Sequence, residues 1–431
     1  MKYILLAIFI LGPLLCLNQI ISGPMLGYKT MNEVAIWIQT DSEQQLTFLY
    51  HLKDDSSQTK SDDFITREED GFTAHLVAKN LSPGKEYRYL IRKIDEEKPI
   101  VEGVFSSQLF WQKEGIPPNF SFAFGSCTYI NERLFDRKGE PFGKELNIFE
   151  SILTKKPDFM LWLGDNLYLR RPDWTSRSGI YRRYTHFKSQ VKLQNFWKSI
   201  HHYAIWDDHD FGPNDADRSF INKEISLAAF KDFWANPSYG IRGKPGITSQ
   251  FSYHDLDFFL LDNRYYRSPN ERETGKREIL GETQIQWLID ALSNSKASFK
   301  IIAIGGQLLS DAKVYENHAT YEKERALLID LIEKENLKNI VFLSGDRHKT
   351  ELSEMKLENG NILYDFTSSP LASKAFDSNN EGNTLQVKGT HVATQNFGTI
   401  SLKGDLMERE MSLKTFDSNG KLIWERKIEQ Q

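Results

Sequence analysis

Phe159-Met160-Leu161-Trp162-Leu163-Gly164-Asp165-Asn166-Leu167-Tyr168 decides the reading of this chain. Five apolar residues in a row read as a buried strand. The strand ends on Gly-Asp, and a Tyr follows three residues later. Three other stretches repeat the pattern. Phe120–Phe124 runs into Gly125-Ser126-Cys127, Tyr203–Ile205 into Trp206-Asp207-Asp208-His209-Asp210, and Ile340–Leu343 leads to Gly345-Asp346-Arg347-His348. Metal-ligand side chains, soft and hard, therefore recur where strands stop. In an open α/β sheet the carboxyl ends of the strands line the active-site crevice. A metal centre assembled from distant strands is the economical explanation.

Each motif carries its own chemistry and its own plainer alternative. Asp165 can bridge two ions through its two oxygens, and Tyr168 can return to one of them as phenolate. Phenolate selects a strongly Lewis-acidic ion such as ferric iron; the alternative is a turn Asp beside a packed Tyr. Cys127 offers a soft thiolate; the alternative is a buried, inert Cys. Asp207, Asp208, His209 and Asp210 crowd three acids and an imidazole together, which is costly to bury without cations. Asn214 and Asp215 follow closely and could give hard oxygens to calcium. Asp346 and His348 lie two apart, on one side of an extended segment, or belong to a surface turn. Arg264, after Leu261-Asp262-Asn263, could clamp a phosphoryl group with both arms of its fork; a structural Asp262–Arg264 pair is the alternative. His201, His202, His254, His318 and His391 have no ligand context and read as structural or exposed.

Outward from these motifs, the pattern divides the chain. From Gly23 to about Lys113 it alternates with period two, at Val34–Thr40, Leu46–Leu52, Thr73–Val77, Tyr87–Ile91 and Val101–Ser106. Short strands at this spacing predict a small β-sandwich, and Leu81-Ser82-Pro83-Gly84-Lys85-Glu86-Tyr87 resembles the turn of fibronectin type III modules. Gly115-Ile116-Pro117-Pro118 reads as a linker. Beyond it, helices predicted at Glu145–Thr154, Lys223–Trp234, Gly281–Ser293 and Glu322–Glu335 alternate with strands, including Phe258–Leu261 and Lys300–Ile304. The tail adds strands at Ile362–Thr367 and Thr399–Lys403 and a hairpin around Asp417–Gly420. The expected division is a signal peptide over 1–22, a β-sandwich over 23–115 and a catalytic domain over 116–431.

At 431 residues the chain is ample for a large core. Its 13% aromatic content argues against disorder, and a net charge of −5 argues against a protein that coats nucleic acid. Met1-Lys2, an apolar run from Tyr3 to Leu17 and small residues near Ser22 read as a secretory signal. Retention as an anchor stays open, as does lipid attachment at Cys16, although small residues are missing just before it. No later segment spans a membrane. Cleavage after Ser22 would leave Cys127 as the lone thiol, which excludes an internal disulfide.

Taken in order, the motifs resemble the PhoD-like alkaline phosphatases of the calcineurin-like metallophosphoesterase superfamily. Gly-Ser-Cys, Gly-Asp-x-x-Tyr, Trp-Asp-Asp-His-acid, Asp-x-Arg, the Gln284–Leu288 helix, Gly306-Gln307 and Gly-Asp-x-His occur in family order, behind Gly23–Gly27 and Ala35–Thr40. The superfamily's usual Asp-x-His opening is replaced here by Gly-Ser-Cys, and its Gly-His-x-His by Gly-Asp-Arg-His. The resemblance implies a four-layer α/β/β/α domain with an iron-plus-calcium centre. Fe(3+) is then expected at Cys127, Asp165, Tyr168 and His348, and Ca(2+) at Asp165, Asp208, Asn214 and Asp346. Asp210 stands where the family more often has Glu, and Asn263 where it commonly has Thr.

The expected function is that of an exported, monomeric phosphoesterase of alkaline phosphatase D type. It would cut phosphate mono- or diesters, small or polymeric, through a metal-activated hydroxide or oxide. His209 would contact phosphate or protonate the leaving oxygen, and Arg264 would support it. No specific nucleic-acid binding is expected. Two rivals stay open: a non-catalytic surface protein that binds phosphate or glycan, and a phospholipid or nucleotide phosphodiesterase on the same metal site.

Overall fold

The computed structural model describes residues 19–136, 138–378, 381–406 and 408–431. Most of the expected leader, with Cys16, lies outside the described residues. Seven strands come first: β1 (Ile20–Lys29), β2 (Val34–Thr40), β3 (Gln44–Leu52), β4 (Asp55–Thr66), β5 (Thr73–Ala78), β6 (Glu86–Lys93) and β7 (Pro99–Ser106). They form two layers, β4-β3-β6-β7 against β1-β2-β5. Leu26, Ile36, Ile38, Leu46, Phe48, Tyr89 and Ile91 fill the space between. Each fully buried apolar side chain of this kind contributes roughly 1.5–3 kcal/mol.

The β1-β2-β5 layer continues past the sandwich. β8 (Phe120–Gly125), β9 (Phe159–Leu163) and β10 (His201–Ile205) run parallel, and β1 adds to β10 through Leu26↔His201. β2 is consequently buried on both faces. Val34, Ile36 and Ile38 point into the sandwich core, while Ala35 and Trp37 point into the larger core beside it. Period-two alternation in β2 thus separates two apolar environments rather than core from water. β1 also begins at Ile20, inside the stretch read as a leader. Ile20 pairs with Thr40 and Ser22 with Gln39, and Ser22 Oγ donates to the Lys188 carbonyl at 2.6 Å.

A second sheet faces the first. It holds β11 (Ser249–Tyr253), β12 (Leu256–Leu260), β13 (Phe299–Ala303), β14 (Ile340–Ser344), β15 (Glu351–Lys356) and β16 (Ile362–Thr367), in the order β11-β12-β13-β14-β16-β15. The long sheet is completed by β17 (Asn396–Lys403), β18 (Glu410–Asp417) and β19 (Leu422–Glu429), giving β19-β18-β17-β8-β9-β10-β1-β2-β5. Aromatic rings weld the two sheets: Phe122–Phe258 at 5.3 Å, Phe124–Phe366 at 4.8 Å and Tyr203–Phe251 at 3.9 Å.

Helices cover both outer faces. Glu282–Asn294 and Glu322–Lys334 pack Ile285, Leu288, Leu328 and Ile332 on Phe259, Ile302 and Phe342. Ile148–Thr154, Arg177–Lys188, Val191–Ser199 and Lys223–Phe233 lie on the other side, with Phe149, Phe187, Trp197 and Phe230 in its core. The alternation that sends Phe258 inward and Phe259 outward is that of strands buried on both faces. The architecture is the four-layer α/β/β/α arrangement preceded by an all-β sandwich. The helices Arg177–Lys188 and Val191–Ser199, and the single turns Arg171–Trp174 and Asp208–Phe211, were not predicted.

Candidate metal centre

The four motifs meet where β8, β9, β10 and β14 end. The loops approach so closely that side chains would not fit at the turning points. Gly164 has φ +92, and a Cβ there would lie 2.7 Å from Asp207 Cβ. A Cβ on Gly345 would lie 2.6 Å from the Ser126 side chain. Just past these glycines, Cys127, Asp165, Asp346 and His348 all take left-handed backbone, with φ of 62, 49, 67 and 52. Such conformations cost roughly 1–3 kcal/mol each in non-glycine residues, and persist only where the surroundings enforce them. Here the backbone bonds Thr128 N–H to Asp165 O (2.8 Å) and Gly345 N–H to Gly305 O (2.7 Å), and Ser369 Oγ accepts from His348 N–H (2.9 Å).

Four donor atoms converge on one side. Cys127 Sγ lies 3.5 Å from Asp165 Oδ2, Tyr168 Oη 3.2 Å from the same oxygen, and His348 Nε2 3.1 Å from Tyr168 Oη. His348 is aimed by its other nitrogen, which faces the Lys374 carbonyl at 2.5 Å and Ser373 Oγ at 3.1 Å. A second nitrogen held by a carbonyl is the usual way of fixing a ligating imidazole. Ser369 Oγ supports the thiol at 3.2 Å.

The oxygens gather on the other side. Ligand atoms of Asp165, Asp208 and His209 lie within 4.8 Å of one another, as do those of Asp207, Asp208 and Asp346, and those of Asp208, Asp215 and Glu316. Asp165 belongs both to this set and to the triad with Cys127 and His348. Asn214 is exposed, and its neighbour Asp215 carries the carboxylate that reaches Asp208 and Glu316. The Asp215 N–H also donates to Asp208 Oδ2 at 2.8 Å.

Arg264 has a different task from the phosphoryl clamp suggested by sequence. Its Nε bonds Asp207, and its fork grips Glu316 at 2.9 and 2.6 Å. The guanidinium is therefore occupied as a buried counter-ion. Nor does it pair with the Asp262 side chain as an ion pair: Asp262 accepts backbone N–H groups of Arg264, Tyr265 and Ile247 and the Trp206 indole. Asp210 is likewise a brace, accepting from Asp207 and Asn166 N–H groups. His201 and His202 are buried on backbone carbonyls, as their sequence context indicated.

Electrostatics set the character of the cluster. Burial, reinforced by Asp208 and Cys127, pushes the Asp165 carboxyl well above its ordinary range. Burial does the same to Tyr168, with Asp165 adding to it, and raises the Cys127 thiol. Asp346 rises too, because burial outweighs the Arg347 charge. Asp208 is the exception: burial pulls it up, but His209, Arg264 and the Asp215 N–H together hold it below the usual value. Asp207 Oδ2, Asp208 Oδ1 and His209 Nδ1 are buried without a hydrogen-bond partner. Orphaned oxygens beside a thiol, a phenol and an imidazole fit metal ions, whose charge would reverse these shifts. Glu316 was missed by sequence reasoning. It follows no apolar strand, and its only signal is a lone acid between Tyr315 and Asn317.

The PhoD-like phosphatase family model matches residues 122–412. Alkaline phosphatase D of Bacillus subtilis (strain 168) is 22% identical over 336 residues, covering 66% of this chain and 55% of that protein. The chain thus matches little more than half the length of that relative. Among solved structures, PhoD superposes with a TM-score of 0.77 at 16% identity, covering 97% of this chain and 94% of the other. The purple acid phosphatase PPD1 from yellow lupin (Lupinus luteus) seeds superposes at 0.69 with 13% identity, covering 94% and 74%. At these identities the two structures speak to the fold.

Proposed function

Because this chain belongs to the PhoD-like phosphatase family, we propose that it is an exported, metal-dependent phosphoric ester hydrolase. The observation that carries the proposal is the convergence of Cys127 Sγ, Asp165 Oδ2, Tyr168 Oη and His348 Nε2 beside a cluster of carboxylates. Iron would be held by Cys127, Asp165, Tyr168 and His348. Calcium would be held by Asp165, Asp208 and Asp346, with Asn214 or its neighbour Asp215. When bound, such ions supply an activated water and neutralise the charge that builds up on the transferring phosphoryl group.

The chain's own residues do the rest. The His209 ring lies 4.2 Å from that of Tyr168, and its side chain keeps 21% of its surface open to solvent. Burial lowers its proton affinity, and Asp208, 3.9 Å from Nε2, raises it again. The open edge of the ring suits it to donate to a phosphoryl oxygen or to the leaving alcohol. Arg264 positions Asp207 and Glu316 and so keeps the acids from spreading apart.

Export rests on the leader, and the partition into leader, sandwich and catalytic domain is part of the same reading. We place the end of the leader ahead of Ile20, since a cut after Ser22 would remove two residue pairs of β1 with β2. Among the described residues, no helix is long and apolar enough to cross a membrane. The test is metal analysis of the purified mature protein together with hydrolysis of a chromogenic phosphate monoester and diester, with and without chelator. Bound iron, calcium and chelator-sensitive turnover are expected. A metal-free protein that turns over neither ester in iron- and calcium-supplemented buffer would return the reading to a non-catalytic binding protein.

A further inference from the structure

Two loops flank the metal centre and are built on one another. Residues 128–136 and 138–143 follow Cys127, and residues 371–376 follow the Ser368–Pro370 turn. They are joined by β-bridges at Thr128↔Ala372 and Gly143↔Ser373. The Ala372 carbonyl accepts from Tyr129 N–H at 3.2 Å and Lys144 N–H at 3.1 Å. The first loop is also tied down from behind. Arg170 donates to the Ile130 carbonyl at 2.6 Å and to Asp136 at 2.9 Å, and Arg183 pairs with Glu132 at 2.7 Å. Together they form one lip, joined by the two bridges and braced by Arg170 and Arg183.

The lip carries aromatic rings to the edge of the centre. Phe142 packs 5.5 Å from His348 and 6.1 Å from Tyr168, and Phe376 packs 5.2 Å from His348. Phe142 and Phe376 are 6.3 Å apart, inclined at 47°. Phe376 remains 42% exposed. An aromatic side chain left open to water beside the two ring ligands of a metal cluster is not explained by packing on His348 alone, which a buried aliphatic residue would achieve. Aromatic faces of this kind recognise other planar rings by stacking.

We propose that Phe142 and Phe376 seat an aromatic group carried on the alcohol arm of the ester, so that aryl-bearing phosphoesters are preferred over small aliphatic ones. The inference rests on the phosphoesterase reading above and names its substrate class. The phosphoryl group goes to the metal cluster, and the arm leaves over the lip.

Competition by phosphonates separates arm recognition from leaving-group chemistry, because phosphonates are not cleaved. With metal-loaded enzyme turning over a chromogenic ester, the inhibition constants of methylphosphonate, phenylphosphonate and benzylphosphonate are compared. The better aryl compound is expected to bind about tenfold more tightly than methylphosphonate, the size of one stacking contact. Phe376→Ala should collapse that ratio towards one, and Phe376→Trp should restore it. Metal content, measured on each variant, reports whether His348 is still seated. A ratio near one in the wild type, or an unchanged ratio in Phe376→Ala, overturns the proposal while leaving the hydrolase intact. Failure of every phosphonate together with failure of hydrolysis overturns both readings.

Discussion

Two regions of this molecule bury charge, and they resolve it in opposite ways. In the strand-end cluster, carboxylates of Asp165, Asp207, Asp208 and Asp346 share a small volume in which two buried oxygens lack a hydrogen-bond partner. On the far side of β9 and β10, Lys188 is fully buried with its ammonium nitrogen 3.2 Å from the centre of Trp234, 4.3 Å from Trp197 and 5.4 Å from Trp37. No carboxylate forms a salt bridge with it among the described residues, and its contact is Met25 Sδ at 3.1 Å. Burial lowers its proton affinity well below the ordinary value, with only Asp210 acting in the other direction. Lys188 can shed its charge by losing its proton to solvent and standing neutral inside the aromatic cage. The acids cannot all be relieved by gaining protons, because Arg264 and His209 keep Asp208 ionised. Their open edge, where 19% of Asp346 and 21% of His209 side-chain surface remains accessible, admits a ligand. Buried charge alone therefore does not mark a site. Unmet bonding capacity with an approach from solvent does.

The sharpest way to break the comparison is Asp165→Asn, which keeps shape and removes the charge shared by both ligand sets. Bound metal is expected to fall below half, and turnover by more than about a hundredfold, since changes to outer-shell partners alone cost roughly 10–100-fold. The same substitution should raise the melting temperature of the metal-free protein, because an amide avoids the cost of burying an ionisable carboxyl beside Asp208. Retained turnover would mean that the acids are bracing the fold and that chemistry lies elsewhere. Next in size is Arg264→Gln. It leaves Asp207 buried without its cation and Glu316 with Arg267 alone, at 3.0 Å, and removing one partner of a buried pair costs about 3–5 kcal/mol. Urea denaturation should report that loss in the metal-free protein and a smaller one when calcium is added. An equal loss in both states would show that calcium does not share the electrostatic load.

What was legible in the sequence divides along the same line. β8, β9, β10 and β14 were readable because largely apolar runs mark strands buried on both faces, and the ligand residues follow them closely. The helix Arg177–Lys188 was hidden because Arg183 and Lys188 lie buried on its inner face with Ile180, Tyr184 and Phe187, so basic residues break the apolar period. The addition of β1 to β10 through Leu26↔His201 leaves no local trace either. Glu316 could be recognised only once Arg264 and Asp208 stood next to it in space. The same holds for Phe142 and Phe376, which come together only through the pairing of Gly143 with Ser373.

The smallest effect tests the other half of the comparison. Lys188→Met keeps the length of the chain in the cage and removes the titrating group. In the unfolded protein Lys188 takes its ordinary value of 10.5, and in the folded protein it lies well below that. Between the two values the unfolded chain holds a proton that the folded chain does not, so this residue makes stability rise with pH, by up to about 1.4 kcal/mol per unit. Above 10.5 both forms are neutral and the contribution is flat. Lys188→Met should therefore be more stable than the wild type, by an amount that is largest near neutrality and shrinks towards pH 10. Urea midpoints at pH 7, 8.5 and 10 measure it, and taking the difference between the two proteins cancels every other titration. A difference that does not change with pH would mean that Lys188 stays charged inside the fold. Attraction to the faces of Trp37, Trp197 and Trp234, about 2 kcal/mol for each face that meets a desolvated cation, would then together be outweighing a desolvation cost of several kcal/mol. In that case the two regions would differ only in the sign of their charge and in what neutralises it.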